Sequence, residues 1–512
     1  MNKFSMLRPA TAIVSALAFV SLPALAQTQS PAGPLEAVSQ DPRYNFSQIE
    51  KLISRTVDSA YSDLSIYCSD GCATDSQDNL IDRLEDLQDA AFDILFGQQS
   101  VGNDGIGEAL GLQKKSPRAF SANDKALAPV DDTALRLRDV LRAVAPEEFS
   151  GQRSANTEFA SNQLSAVSGR MDALRFGASG FSVAGLVTPA SPHGVLGGAA
   201  ASSGDVSKWG GFLNGSYTFG DREKTQYEGE FDYDGFDITF GADYRVSSAL
   251  VLGATASYLD QSVEFGPTPS QPTGVLDSKG FGIHLFGLYE WDGPYTSAAL
   301  GYQMLSHDSQ RQIAYQLVDQ FGFNIGPPVN ETETGDTDSN MLTGTLDFGW
   351  PLRAGSFGYE PYVRVEYRKM TIDGFTERSV DNLLGGEGAF GVTLGERDVE
   401  STVGAAGMKA SFVFTPSFGV VIPYLKAEYR NEFHDDALQT SAVYTGLSGV
   451  PQSANSSFGL PSDPPDTSYY LAALGGSIVL KGGWQGFIQA QRAFDLDYVT
   501  YQTIAVGVRG EF

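Results

Sequence analysis

Cysteine and histidine are scarce in this chain, with two cysteines and four histidines among 512 residues. A single cysteine pair with no histidine nearby is too small a ligand set for a structural zinc site. The spacing of Cys68 and Cys72 is also not the Cys-x-x-Cys spacing of redox enzymes. In an exported protein such a pair predicts a small local disulfide. We predict no metal, cofactor or catalytic site, because the first histidine is His193 and no Ser-His-Asp triad can form before it.

Basic residues are also few, since 34 Lys and Arg stand against 62 Asp and Glu, which gives a net charge of −28. This balance argues against nucleic acid as a partner. Long apolar runs are missing apart from residues 10–22, which follow Lys3 and Arg8 and precede Ala24-Leu25-Ala26. This arrangement predicts a signal peptide over residues 1–26, cleaved after Ala26. If the exported chain crosses a membrane, it must then do so as a closed β-barrel.

The apolar residues recur at helical spacing up to about residue 204 and alternate from residue 205 onward. Residues 27–150 predict a short helical N-terminal region, with apolar faces over 46–64, 80–95 and 135–144. A fourth helical stretch covers about 154–176, and the Gly-, Ala-, Ser- and Pro-rich remainder of 151–204 predicts a linker.

Residues 205–512 predict about twelve antiparallel strands, joined by short connections that alternate with longer ones, the stretch 309–336 among the longer. Charged residues alternate with apolar ones inside two of these strands. A charge facing lipid near the midplane would cost about 2–4 kcal/mol, so we expect these side chains to face the lumen. The predicted lumen charges are Arg364, Glu366, Arg368, Lys426, Glu428 and Arg430.

The last strand alternates Ile504, Val506 and Val508 with polar or small residues and ends on Phe512. A terminal aromatic strand is how outer-membrane proteins are presented to the barrel assembly machinery, so Phe512 is the predicted C-terminal assembly signal. The expected location is the outer membrane of a Gram-negative bacterium. The expected partners are membrane lipid and the assembly machinery, with the barrel acting as a monomer.

With these features the chain resembles the autotransporter (type V secretion) translocator family over residues 146–512. The resemblance rests on Ala145-Pro146-Glu147-Glu148, on Asn162-Gln163-Leu164, on the run Gly169 to Arg175, on Trp209-Gly210-Gly211, on Pro361-Tyr362-Val363 with Glu377, on Pro423-Tyr424-Leu425 with Glu432, and on Phe512. The fold that it implies is an all-β transmembrane barrel of about 12 strands with a helix in its lumen. That helix would span 157–176, and its Arg170 and Arg175 would meet Glu366 and Glu428.

Family members that cut themselves inside the barrel use an asparagine shortly before the Arg-Met pair of this helix. Ser165 and Ala166 occupy that place here, and neither can cyclise as asparagine does, so the N-terminal region should stay attached. The expected function is a translocator that anchors and displays this short helical region at the cell surface, without enzymatic activity. The surface ligand stays unnamed.

Two alternatives remain open at this point. One is a porin-like or structural barrel whose N-terminal helices lie in the periplasm. The other is a surface hydrolase at the barrel rim that uses His307 or His434.

Overall fold

A computed structural model describes the chain over residues 33–69, 71–96, 132–146, 149, 208–291, 293–319, 321–453, 455–480 and 484–511. The signal-peptide, lumen-helix and linker predictions fall outside these residues. Within the described residues, four helices precede the barrel: α1 (Pro34–Ser39), α2 (Gln48–Tyr67), α3 (Asp75–Phe96) and α4 (Asp132–Ala143). None of the described helices is both long and apolar enough to span a bilayer.

The helices begin where the sequence offers caps. Ser47 and Glu50 form a reciprocal capping box at the start of α2, with the Glu50 backbone N–H donating to Ser47 Oγ at 3.3 Å and the Ser47 N–H donating to Glu50 Oε2 at 2.6 Å. The short helix α1 was not predicted, since six residues are too few for a periodic pattern to be read.

Twelve long strands close into one antiparallel barrel, as the sequence predicts. They are β1 (Trp209–Arg222), β2 (Phe231–Arg245), β3 (Leu250–Phe265), β4 (Thr273–Glu290), β5 (Tyr295–Val318), β6 (Asn324–Gly349), β8 (Phe357–Ile372), β12 (Arg397–Phe412), β13 (Gly419–Glu432), β16 (Ser468–Leu480), β17 (Gln485–Phe494) and β18 (Gln502–Glu511). Closure comes from β1, which pairs with β18 from Gly210 opposite Glu511 to Phe219 opposite Gln502. A closed barrel leaves no unpaired strand edge in the bilayer.

Six short strands lie in the connections: β7 (Leu352–Ala354), β9 (Phe375–Thr376), β10 (Arg378–Asp381), β11 (Val392–Leu394), β14 (Gln439–Tyr444) and β15 (Phe458–Pro461). Four of them, in the order β15-β14-β11-β9, form a second small sheet. β10 instead joins the barrel sheet by pairing with residues 331–334 of β6.

The barrel has two different ends. At the short-connection end lie the start of β1, the end of β18 and the turns after β2, β4, β6, β12 and β16. At the long-connection end, the predicted loop 309–336 is in fact a hairpin, because β5 continues to Val318 and β6 starts at Asn324. The loop prediction was wrong because this hairpin extends beyond the membrane, where strands no longer need an apolar outer face.

The outward-facing side chains form an apolar belt between two aromatic rings. In β4, Phe281, Ile283 and Leu285 are 64–68% exposed, whereas the intervening His284 is 1% exposed. Aromatic residues recur eight residues apart in four strands, at Trp209 and Tyr217, Phe236 and Tyr244, Phe281 and Tyr289, and Tyr359 and Tyr367. Eight residues span about 26 Å along a strand. With the strand tilt this becomes roughly 20 Å, close to the apolar height of an outer-membrane barrel.

Candidate functional site: the barrel lumen and its helical cap

The charged residues of β8 and β13 lie on the buried face of the barrel wall and form one connected network. Arg364 donates to Asp347 of β6, and its Nη1 lies 3.5 Å from Glu428 Oε1. Glu428 also accepts from Lys426 Nζ and from the Tyr362 hydroxyl, each at 2.6 Å. These contacts join β6, β8 and β13 through charged groups, although β12 separates β8 from β13 in the sheet.

Glu366 occupies the other half of this network. Its two carboxylate oxygens meet Arg430 Nη2 and Arg368 Nη2, each at 2.5 Å. Glu366 and Glu428 are 2% and 3% exposed, and buried carboxylates of this kind persist only when cations pair with them. Arg170 and Arg175, the helix residues expected to meet these glutamates, lie outside the described residues. Within the described part, cations of the strands themselves already contact both carboxylates.

From Tyr302 and Tyr367 toward the long-connection end, the inward face carries apolar side chains among polar ones such as Gln261, His307 and Arg397. Buried apolar side chains from seven adjacent strands form a cluster there, which we call the collar: Phe231, Tyr233, Leu259, Val263, Leu276, Leu305, Met341, Met370, Ile372 and Val399. The collar therefore lies between the charged network and the long-connection end along these seven strands. Apolar side chains that line a pore oppose the passage of water and ions.

The four helices, which we call the cap, pack on the long-connection end and share one core with it. Helix residues such as Ile49, Ile53, Leu84 and Leu137 are completely buried in this core. The β5–β6 hairpin and the loops that carry the small sheet also contribute to this core, through Ile313, Leu317, Val329, Ala389, Phe390, Val392, Leu394, Ala442, Tyr444, Leu447, Val450 and Leu460. The apolar faces read from the helical pattern are thus covered by parts of the barrel domain as well as by each other.

Arg311 of β5 joins the cap to the loops of the barrel. Its Nε and Nη2 donate to the two carboxylate oxygens of Glu377 at 3.0 and 2.9 Å. Its remaining donors reach the carbonyl oxygens of Ala143 at the end of α4 and of Phe390, both at 3.0 Å. Arg311 is 2% exposed, and a bidentate guanidinium–carboxylate pair is among the stronger polar contacts available to a buried site.

Polar contacts surround this shared core. Asn79 Nδ2 donates to the Glu387 carbonyl at 2.7 Å, and Gln77 Nε2 donates to the Ser448 carbonyl at 3.3 Å. Asp63 accepts from the Ser453 N–H at 2.6 Å. Helices α2 and α3 therefore both bond to loops of the barrel domain. The sequence analysis did not identify any of these contacts, since each joins residues about 300 or more positions apart.

The remaining site residues lie apart from the lumen. Cys68 and Cys72 form a disulfide with an S–S distance of 2.04 Å in the turn between α2 and α3. Ala26 and Phe512 lie outside the described residues.

His307 and His434, the two histidines predicted for a rim site, lie in different surroundings. His307 is 1% exposed and lies between Ser278 Oγ and Ser339 Oγ, 2.8 Å from each through its two ring nitrogens. His434 instead lies on the loop after β13, with its ring nitrogens 4.0 Å from Glu400 and Glu432. Among the described residues no cluster of three or more His, Cys, Asp or Glu side chains could hold a metal ion.

Comparison with known proteins relates the barrel to secretion proteins. The family described as "Autotransporter beta-domain" matches residues 211–491, more than half of the chain. Esterase EstA of Pseudomonas aeruginosa is 22% identical over 248 residues, which are 48% of this chain and 35% of the esterase. An uncharacterized Pseudomonas putida protein from the trpE-trpG intergenic region is 28% identical over 148 residues, 28% of this chain and 22% of that protein. The chain therefore spans only about a third or less of the curated relatives that it matches.

Among solved structures, the translocator domain of autotransporter NalP from Neisseria meningitidis matches with a TM-score of 0.45 at 15% identity. The match covers 70% of this chain and 98% of that domain. The β-domain of the Bordetella autotransporter BrkA matches with a TM-score of 0.39 at 16% identity, over 59% of this chain and 99% of that domain. On the family match over residues 211–491, the chain belongs to the autotransporter family, and its barrel is a translocator domain of the bacterial outer membrane.

Proposed function

We propose that this translocator keeps its own N-terminal region, residues 27–150, as an uncleaved helical cap displayed at the cell surface. The observation that carries the proposal is the core shared by the cap and the long-connection end of the barrel. In outer-membrane barrels the longer connections lie outside the cell and the short turns lie in the periplasm. A cap packed on the long connections is therefore a surface domain.

The path of the chain supports the same arrangement. Phe149, just after α4, packs edge-on against Phe375 with 5.1 Å between the ring centroids, at the long-connection end. Trp209, the first residue of β1, lies at the short-connection end. Residues 150–208 must connect the two ends, and a path through lipid would leave their backbone polar groups without partners unless the segment were an apolar helix. We propose that 151–204 pass through the lumen, with Arg170 and Arg175 facing Glu366 and Glu428.

The shared core also favours a cap that stays in place. A soluble effector needs a core of its own, whereas here Phe390, Tyr444 and Leu317 of the barrel domain complete the core of the helices. A released cap would expose the side chains that these residues cover. We propose that the cap functions on its barrel as a surface-displayed module without catalytic activity, and that its ligand has yet to be identified.

The proposed partners of the folded chain follow from the barrel. Its outward belt contacts outer-membrane lipid. We propose that the barrel assembly machinery recognises the last strand with Phe512, and that the protein works as a monomer, since the barrel closes on itself through β1 and β18.

Epitope tags on intact cells test the display. One tag follows Thr28, a second lies in the 319–323 hairpin tip, and a third follows Ala354 in a short turn. Display predicts that the first two tags are bound by antibody and removed by external protease, and that the third is protected until the outer membrane is opened. If the Thr28 tag is protected while the hairpin tag is exposed, the cap is not at the surface and the proposal is wrong.

Disulfide trapping tests the lumen path separately. Arg170→Cys combined with Glu366→Cys should cross-link, because both side chains would lie in the lumen. Arg170→Cys with Val365→Cys is the matched control, since Val365 is 49% exposed on the lipid face. Cross-linking of both pairs or of neither would contradict a helix threaded through the barrel.

A further inference from the structure

Three carboxylates are buried side by side beneath the cap. Glu331 and Glu333 lie two residues apart on the same face of β6, and Glu377 lies beside β10, which pairs with this part of β6. They are 1%, 0% and 4% exposed. Their direct cation is Arg311, which forms the bidentate pair with Glu377.

The three groups differ in how well their oxygens are satisfied. Glu331 Oε2 accepts from the backbone N–H groups of Ala389 and Phe390 at 2.8 and 3.2 Å. Glu377 accepts from Arg311 and from the Val392 N–H at 3.0 Å. Glu333 Oε1 accepts from Ser379 Oγ at 2.7 Å, but within the described part of the chain its Oε2 has no hydrogen-bond partner. A buried anionic oxygen without a donor is costly, and protonation removes the charge.

The groups around Glu333 come from every element packed there. β5 contributes Arg311, β6 contributes Glu331, and the segment 375–381 contributes Glu377 and Ser379. Helix α3 contributes Arg83, whose charge acts on Glu331, as does that of Asp381 in the segment 375–381. Helix α4 contributes the Ala143 carbonyl, which Arg311 binds. Burial raises the pKa of Glu333 to about 8, and Arg311 opposes this rise only in part.

We propose that the protonation state of Glu333 controls docking of the cap, a role that we call the latch. Its neutral carboxyl group keeps the cap docked, and its ionisation loosens the cap. The proposal rests on the docked cap of the proposed function. It adds a pH response to display: the cap is held firmly in mildly acidic surroundings and opens more often in mildly alkaline ones.

The direction follows from linkage. Opening of the cap would admit water to Glu333 and return its pKa toward the ordinary value of about 4.3. The stability that the neutral carboxyl gives the docked cap is then complete below about 4.3 and is lost as the pH rises through about 8. Three cap carboxyls act in the same direction, since burial raises the pKa of Asp58 to about 7 and those of Asp86 and Asp89 to about 6. Burial raises the pKa of Glu331 as well, so this neighbouring carboxyl acts in the same direction.

Hydrogen exchange of the full-length protein in nanodiscs tests the latch. Protection of α2 and α3 is measured from pH 5.5 to 8.5 and corrected for intrinsic exchange, with β13 and β16 as internal reference. We expect cap protection to fall as the pH rises while barrel protection holds. One titrating proton changes the protection factor by up to about tenfold per pH unit. We therefore expect the protection of the cap to fall less steeply with pH in Glu333→Gln, by up to that amount. Glu387→Gln, an exposed carboxylate in the same loop region, is the matched control and should keep the wild-type slope.

Each outcome decides the proposal. Equal slopes for wild type, Glu333→Gln and Glu387→Gln would overturn it, as would a loss of protection that includes the barrel strands. If Glu333→Gln does not assemble, infrared spectroscopy of the wild type replaces it. A buried carboxylic acid C=O band at pH 7 that disappears by pH 9 and persists in the Asp58→Asn variant supports the latch, and its absence at pH 7 refutes it. Because the band requires no surface location, its result is separate from that of the tag experiment.

Discussion

Arg311 should contribute more to holding the cap than any exposed charge near it, and Arg311→Met tests this. The substitution keeps an unbranched apolar stem of similar length and removes all four donated hydrogen bonds, two to Glu377 and one each to Ala143 and Phe390. It leaves Glu377 buried beside Glu333 without a guanidinium. The perturbation is therefore electrostatic and local to the junction of β5, the loops and α4.

The expected size follows from the burial of the pair. Arg311 and Glu377 are 2% and 4% exposed, so solvent screens their interaction little. Removing one partner of a buried ion pair costs about 3–5 kcal/mol, because the remaining charge has no compensation. At 1.36 kcal/mol for each factor of ten, the equilibrium constant for cap opening should rise roughly 150- to 5,000-fold.

Pulse proteolysis in a urea series measures this opening on purified protein. The fraction of intact cap and the fraction of intact barrel are read separately from the fragment sizes. Arg311→Met should shift the cap transition to lower urea and leave the barrel fragment in place. Arg378→Gln provides the control, because Arg378 is an exposed arginine of the same segment and should change stability by less than about 0.5 kcal/mol.

The double variant Arg311→Met with Glu377→Met provides the sharper test. If the cost comes from an uncompensated carboxylate, removing that carboxylate should recover part of the lost stability, as seen when buried ion pairs are replaced by apolar pairs. Equal effects of Arg311→Met and Arg378→Gln, or a double variant less stable than the sum of both singles, would refute the reasoning.

Four further outcomes are expected. Ser47→Ala removes the capping box of α2 and should destabilise the cap by about 1 kcal/mol in urea titrations, whereas Ser62→Ala on the exposed face of α2 should not. Val365→Arg places a charge on the lipid face and should cost about 2–4 kcal/mol of barrel stability, seen as less folded barrel in gel-shift assays, while Leu384→Arg, 83% exposed in a loop, should be neutral. Leu305→Asn with Met370→Asn should raise ion conductance in planar bilayers because it makes the collar polar, and the lumen variant Gln303→Asn should not. Phe512→Ser should reduce the amount of assembled barrel in the outer membrane, and an unchanged amount would remove Phe512 from the assembly signal.

Much of the barrel could be predicted from the sequence because its pattern is local. Side chains alternate every two residues between lipid and lumen, so Val363, Arg364 and Val365 reveal the two faces of β8 without any knowledge of its neighbours. The same holds for the three long helices, whose apolar residues recur at a fixed period.

In the hairpin of β5 and β6, prediction of strands from the alternation of apolar and polar residues fails. Above the membrane a strand can be polar on both faces, so the alternation from Ser309 to Asp336 weakens and the segment reads as a loop. Glu331 and Glu333 were missed for this reason, although their spacing of two residues was a signal that both share one face of a strand.

The sequence alone therefore determined the barrel, its membrane location and the presence of a small helical region, because each depends on composition or short-range periodicity. Export through a signal peptide stays a prediction from the same kind of local pattern. Only the tertiary structure decided where the helices pack and what covers them. Arg311 meets Glu377 across 66 positions and Ala143 across 168, and no local pattern encodes such a pairing. The cap and its buried carboxylates exist because distant segments meet at one end of a closed barrel.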